Sequence, residues 1–454
     1  MGLRRKLSDI ETIDSAKRPK ISTKSIASYL SSIDVKRLDF DKEKICSVTL
    51  SPLNVYCCLV CGKYLQGRGE SSVAFLHSIQ EDHHVFANLQ NTRIYLLPEN
   101  DELANAPILQ RIRFAISPLY SKEDLDSYPK NCFDVLNNSY LNGFVGLIEP
   151  KNTSSFTTIL QLLGHISPLR DYVALEASDK ISDEIVKRFS IVVKKLWSPH
   201  LFRAHVSPHE FLNQVFSAYK SPNPDPKAFL FWMLNHLNSS DPVLRKVLTK
   251  NLRGELIRKT TIIREESVEN TGRNLKFVRD EASTSVQKIK FLCLTLNLPP
   301  MPLFADGFDT NSIPQVNIES LLERFMGAEE IHTKEGIQSY SFVKIPRFLL
   351  LHVDRFKRHD DLPVKNRNQT LVKFPNTLEL KGTQFKLIAN VLHNAVRGKY
   401  VENEEVDDES EWGTQILDSN SQEWYEIRGK TVIPRQKELL FLGESYLQVW
   451  EALE

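Results

Sequence analysis

Cysteine is scarce in this chain, six in 454 residues, and four of the six fall between Cys46 and Cys61. That crowding excludes a disulfide framework and fits a reducing compartment with one local metal site. No apolar run is long enough to cross a bilayer, so no membrane span is expected. The basic N-terminus has no apolar stretch behind it, which excludes a secretory signal. Net charge is also nearly absent, at a formal +1, so the whole chain exerts no strong general pull on nucleic acid or membrane. No RNA-recognition motif with stacking aromatics is found, and RNA is expected to be reached through protein rather than directly. No internal repeat is present.

What is there reads as a soluble globular protein of two or three domains, because 454 residues exceed what one core usually serves. Residues 1–24 carry seven Lys/Arg against three Asp/Glu and little that could form a core. They are expected to form a disordered basic tail. Its clusters Arg4-Arg5-Lys6 and Lys17-Arg18-Pro19-Lys20 are spaced like a bipartite nuclear import signal. Residues 25–120 form a first body. Val55–Val60 reads as a short strand, Val73–Ile79 has helical spacing, and Arg93–Leu97 reads as a strand ended by Pro98. A second body runs over 131–454. Amphipathic spacing predicts helices over 154–166, 182–197, 207–219 and 227–238. Strands are predicted at Phe291–Leu298, Phe348–Val353 and Leu439–Trp450. Helices followed by strands indicate an α+β domain rather than alternating βαβ units. The polar stretch 260–288 and the acidic run 402–411 read as solvated surface loops.

The strongest local signal is Cys58-x2-Cys61-x15-His77-x5-His83. Two cysteines at this spacing put both sulfurs on one side of a tight turn, and Gly62 frees the backbone there. Two histidines on and after a short helix can close a tetrahedron around zinc. Four protein ligands leave no open position for water, so one structural Zn2+ is expected, able to supply much of a small domain's folding energy. His84 could replace His83, and Cys46 or Cys57 could replace one of the cysteines. Cys57 precedes Cys58 on a strand and so points to the opposite face. Cys46 reads as a core residue.

The stretch Cys58-Leu-Val-Cys-Gly-Lys-Tyr through His77 and His83-His84-Val-Phe resembles the UBP-type zinc finger, a small zinc-binding α/β module that in many proteins binds the free tail of ubiquitin. That family often uses a tryptophan and an arginine in its tail pocket. Here the first body has no tryptophan, and Lys63 follows the Cys-Gly, so ubiquitin is not an expected partner.

Four segments of the second body resemble the ubiquitin-specific protease domain, in that family's order. They are Gly146 to Gln161, which is similar to the nucleophile box; Asp225-Pro-Lys-Ala-Phe229-Leu230; Ile345 through Arg355-Phe356 to Phe374-Pro375; and Leu387–His393, Trp412 and Trp424-Tyr425-Glu426-Ile427, which is similar to the histidine box. The resemblance implies a papain-like fold with a helical thumb and strand-rich palm and fingers. Carried over residue by residue, the nucleophile position is Ser154, the general-base position Glu411 and the orienting position Arg428. Serine has a far higher pKa than cysteine, glutamate cannot take an imidazole's role, and arginine cannot accept a hydrogen bond. No catalytic residue is therefore expected. The basic tail, the two-cysteine, two-histidine finger and the triad-less domain together resemble the inactive ubiquitin-specific peptidase relatives associated with the spliceosomal tri-snRNP. Lys195-Leu-Trp197-Ser-Pro199 and Tyr446-Leu-Gln-Val-Trp450 are among the stretches that carry this likeness. It implies a nuclear, non-catalytic factor for pre-mRNA splicing, with spliceosomal proteins as partners and small nuclear RNA contacted indirectly. The alternatives are a ubiquitin-binding reader and a deubiquitinase that uses Ser154 as an atypical nucleophile.

Overall fold

The computed structural model describes residues 23–103, 106–175, 181–221, 225–267, 275–300, 313–327, 329–333, 336–356, 367–396 and 409–453. The basic clusters expected to act in import lie outside these residues. Helix Thr23–Ser31 begins inside the stretch read as a tail. The chain divides into two compact units, one holding residues up to Leu38 and Lys44–Gln110, the other Asp39–Glu43 with Arg111 onward.

The first unit is built on a five-stranded antiparallel sheet in the order Tyr64–Gln66, Val55–Cys58, Val85–Asn88, Ile94–Leu96, Asp101–Glu102. Tyr56, Cys58, Leu65, Phe86, Tyr95 and Leu97 form its core together with Ala74 from helix Val73–Gln80. The strands are short, and burial of both faces explains why they read as apolar runs rather than as alternation.

In the second unit, helices Ser154–Gly164, Ser167–Leu175, Glu184–Leu196, His209–Ala218, Pro226–Ser240 and Pro242–Leu252 form one layer. Asp183, Asp225 and Asp241 cap three of them by accepting from Val186, Ala228 and Val243 N–H groups at 3.0, 3.0 and 2.7 Å. Helix Ser154–Gly164 is central, buried from Ser155 to Gly164. Trp197 Nε1 donates to the Gly164 carbonyl at its C-terminal end, at 3.0 Å. Against this layer lies a sheet in the order Cys293–Asn297, Phe348–Asp354, Glu444–Ala452, Thr383–Val396, Glu409–Leu417, Trp424–Arg428, Thr431–Arg435. Only its first pair is parallel. One apolar core joins helices and sheet through residues such as Ile159, Val193, Phe211, Phe229, Val391 and Val449. A second core, with Leu349, Leu351, Phe385 and Trp450, fills the other face of the sheet.

The stretch 260–288, read from sequence as a loop, is mostly strand. Gly254–Ser267 and Leu275–Phe291 form a long antiparallel ribbon, extended by Gly336–Lys344 and Ile331–Thr333 into a four-stranded sheet. Polarity hid it, because one face of the ribbon is open to water and shows no apolar alternation. Of the run 402–411, Glu409–Glu411 begin strand Glu409–Leu417 and the rest lies outside the described residues. Leu439–Leu442, expected as strand, belong to the 3-10 turn Lys437–Leu442, and the strand starts at Glu444.

Candidate metal centre and nucleophile position

Strand Val55–Cys58 delivers Cys58 to a tight turn closed by the Gly62 N–H on the Cys58 carbonyl at 2.9 Å. Gly62 has φ +77°, and a Cβ there would lie 2.4 Å from the Arg37 carbonyl oxygen, so glycine is required. The turn brings Cys61 beside Cys58. Helix Val73–Gln80 supplies His77, and the link to strand Val85–Asn88 supplies His83. One donor atom from each of Cys58, Cys61, His77 and His83 lies within 4.8 Å of the others. Cys61 Sγ is 3.4 Å from His77 Nε2, which is 3.1 Å from His83 Nδ1. Tetrahedral zinc with ordinary bond lengths separates its ligand atoms by roughly 3.3–3.8 Å, so the donor set and its spacing fit the metal. Among the described residues this is the one group of its kind. A hydrogen bond from the Cys58 thiol holds the Cys61 thiol well below its usual range and Cys58 above it.

The neighbouring candidates are committed elsewhere. His84 Nδ1 lies 2.7 Å from the Leu97 carbonyl oxygen and Nε2 2.8 Å from Asp82. Cys57 is fully buried, its thiol against the Cys58 carbonyl at 3.6 Å. Cys46 is also fully buried, and its sulfur accepts from Thr49 N–H at 3.4 Å.

In the second unit Ser154 opens the central helix, and its Oγ accepts from Trp412 N–H at 3.3 Å. Glu411, next to Trp412, is exposed and pairs in register with Asn394. Arg428 Nε lies 2.7 Å from Glu426 Oε1 as an ion pair, and Arg435 and Gln415 donate to the other oxygen of the same carboxylate at 2.9 and 3.2 Å. Burial pushes Glu426 up, but Arg435, Arg428 and Gln415 outweigh it and hold the carboxyl low. Arg428 thus anchors a buried structural carboxylate.

Two histidines could be asked to serve Ser154. His165 caps the far end of an 11-residue helix, about 16 Å away along its axis. Burial drives it down to about 4, so it is neutral. His393 is buried, with Nδ1 3.1 Å from Glu444 and Nε2 2.9 Å from Ser410 Oγ. Glu444 is gripped by Arg367 through two contacts of 2.7 Å. Burial raises the Glu444 carboxyl, yet His393 and Arg367 outweigh it and hold it at about 2. Sequence reading missed the roles of Ser410, Glu444 and Arg367, whose convergence depends on strand register. It also left Glu149 unassigned within the nucleophile box. Its carboxylate accepts from Thr157 Oγ1 and the Gly429 N–H, and burial pushes it up.

These features define a UBP-finger protein with a ubiquitin-specific protease fold. The model for the Zn-finger in ubiquitin-hydrolases and other proteins matches residues 46–107, and that for ubiquitin carboxyl-terminal hydrolase matches 145–449. The chain is 40% identical to Pre-mRNA-splicing factor SAD1 of Saccharomyces cerevisiae, over 94% of this chain and 93% of that protein. It is 32% identical to the Probable mRNA-splicing protein ubp10 of Schizosaccharomyces pombe, over 99% and 94%. Among solved structures, the crystal structure of an essential yeast splicing factor superposes with a TM-score of 0.79 at 40% identity, covering 94% of this chain and all of that one. The chain belongs to the ubiquitin carboxyl-terminal hydrolase family, in the group that contains these splicing relatives.

Proposed function

We propose that this chain is a non-catalytic, nuclear pre-mRNA splicing factor that helps assemble or stabilise the tri-snRNP. The carrying observation is identity of 40% along nearly the whole chain to a pre-mRNA-splicing factor. The surroundings of Ser154 support the non-catalytic part. Its hydroxyl accepts a backbone hydrogen bond, and both nitrogens of His393 are occupied. A serine without a base to take its proton is a poor nucleophile. Spliceosomal proteins are its partners, and small nuclear RNA is reached through them.

In this reading Cys58, Cys61, His77 and His83 hold one structural zinc ion. The metal ties the turn after strand Val55–Cys58 to helix Val73–Gln80 and to the approach to strand Val85–Asn88. It supplies cross-linking that the small core of the first unit cannot. A tagged chain at native level is expected to bring tri-snRNP proteins and their small nuclear RNAs out of nuclear extract. Recovery of none of them under conditions that recover other tri-snRNP proteins would sink the proposal.

A further inference from the structure

The four-stranded ribbon of the second unit has two unlike faces. Leu256, Phe342 and Phe291 point to one face, where they join the palm-side core with Phe325, Ile318 and Leu322. The other face carries Glu255, Ile257 and Lys259 from the first strand, and Val286, Lys288 and Lys290 opposite them on the second. Lys344 stands opposite Glu255 from the third strand. Lys259, Lys288, Lys290 and Lys344 are exposed, and Val286 is 62% exposed. Across the paired stretches 254–260, 285–291 and 338–344, Glu255 is the one acidic residue, against Arg258 and those four lysines. Arg258 lies on the other face, bonded to Gln287. Glu255 is satisfied by Lys288 at 2.5 Å. Lys290 and Lys344 also stand in register with Glu255 and share its field, so one carboxylate faces four ammonium groups on this face and an excess of positive charge remains, in a chain whose whole net charge is +1.

Lysines on a sheet can serve only to keep an edge from pairing with other chains. That accounts for Lys288 and Lys290, because Leu275–Phe291 is the outer strand. It accounts equally for Lys344, which lies beyond the three residues Gly336, Ile337 and Gln338 that Ile331–Thr333 pairs with, but not for Lys259, which is paired on both sides, with Val286 and with Ser339, where no edge needs guarding. A concentrated cationic face attracts an anionic partner. The apolar side chains between the lysines decide which kind. RNA would be gripped through phosphates and aromatic stacking, and this face offers Val286 and Ile257 instead of aromatics. We propose that this face docks a protein segment in which acidic residues alternate with aliphatic ones, its carboxylates meeting the lysines and its aliphatics covering Val286. The inference does not depend on a role in splicing.

The test uses the full chain and fluorescence anisotropy with a short fluorescein-labelled peptide of glutamates and interspersed valines. A fluorescein-labelled oligouridylate of equal charge is the competing probe. The peptide should bind saturably, more weakly as salt rises. Lys259→Gln/Lys288→Gln/Lys290→Gln/Lys344→Gln should weaken it at least about tenfold, and Val286→Ser should weaken it without changing the salt dependence. If the quadruple variant does not give the wild-type circular dichroism spectrum, Lys288→Gln/Lys290→Gln, confined to the outer strand, replaces it with a smaller expected loss. Equal binding by a folded variant, absence of peptide binding, or tighter binding of the oligouridylate through the same lysines each overturns the proposal.

Discussion

At the scale of the residue, His83 and His84 are adjacent in sequence and separate in chemistry. His83 Nδ1 faces His77 within the cluster, whereas His84 joins the Leu97 carbonyl to Asp82. Spacing alone left the two interchangeable, because either could follow a short helix into a tetrahedron. The strand Val85–Asn88, buried on both faces, sets which ring turns inward. His83→Ala is expected to lose the zinc and melt the first unit, and His84→Ala to keep the metal and lose about 1 kcal/mol for its hydrogen bonds. Metal content by inductively coupled plasma mass spectrometry and thermal melts of the full chain read both. Zinc retained in His83→Ala and lost from His84→Ala would reverse the assignment. The four cluster residues were legible because metal ligands need fixed side-chain types at short separations. The buried set of His393, Glu444 and Arg367 was not, because it joins groups as far as 77 positions apart.

At the scale of the element, that same set fastens strand Thr383–Val396 to strand Glu444–Ala452 and to Arg367, which follows the undescribed residues after Phe356. The Glu444 carboxyl sits at about 2 when folded, against about 4.3 when unfolded. A depressed carboxylate contributes stability above its unfolded pKa and loses it as pH falls toward the folded value. The contribution is about 3 kcal/mol at neutral pH, disappearing between roughly pH 4.3 and 2. Glu444→Gln should therefore lower the denaturation midpoint at pH 7 and converge on wild type near the acid end of that window. Parallel urea melts across pH check it, and a gap that stays constant with pH would contradict the account. Elements with a covered face, such as helix Ser154–Gly164 and strand Phe348–Asp354, were legible from apolar pattern. The ribbon strands Gly254–Ser267 and Leu275–Phe291 were not, since they are held by long antiparallel pairing and the charged and polar side chains of their water-facing side break the apolar alternation that marks a strand.

At the scale of the whole molecule, the proposed function separates a fold from its chemistry. The helical layer, the sheet and the ribbon fit the ubiquitin carboxyl-terminal hydrolase family over residues 145–449, while the proposed reading puts serine, glutamate and arginine at the three positions that matter for thiol chemistry. Restoring one of them should not restore turnover. A cysteine at position 154 would have a pKa near 8.5 and be a few per cent thiolate at neutral pH. It would still lack an imidazole to take and return a proton. His393 is occupied on both nitrogens, and His165 lies a helix length away. Ser154→Cys is therefore expected to leave hydrolysis of ubiquitin–aminomethylcoumarin at the buffer rate, as in the wild-type chain. Turnover by the wild-type chain that Ser154→Ala abolishes would instead make it an enzyme with a serine nucleophile. Turnover appearing only in Ser154→Cys would mean that a base is already in place and that the loss of the thiol alone silenced this fold.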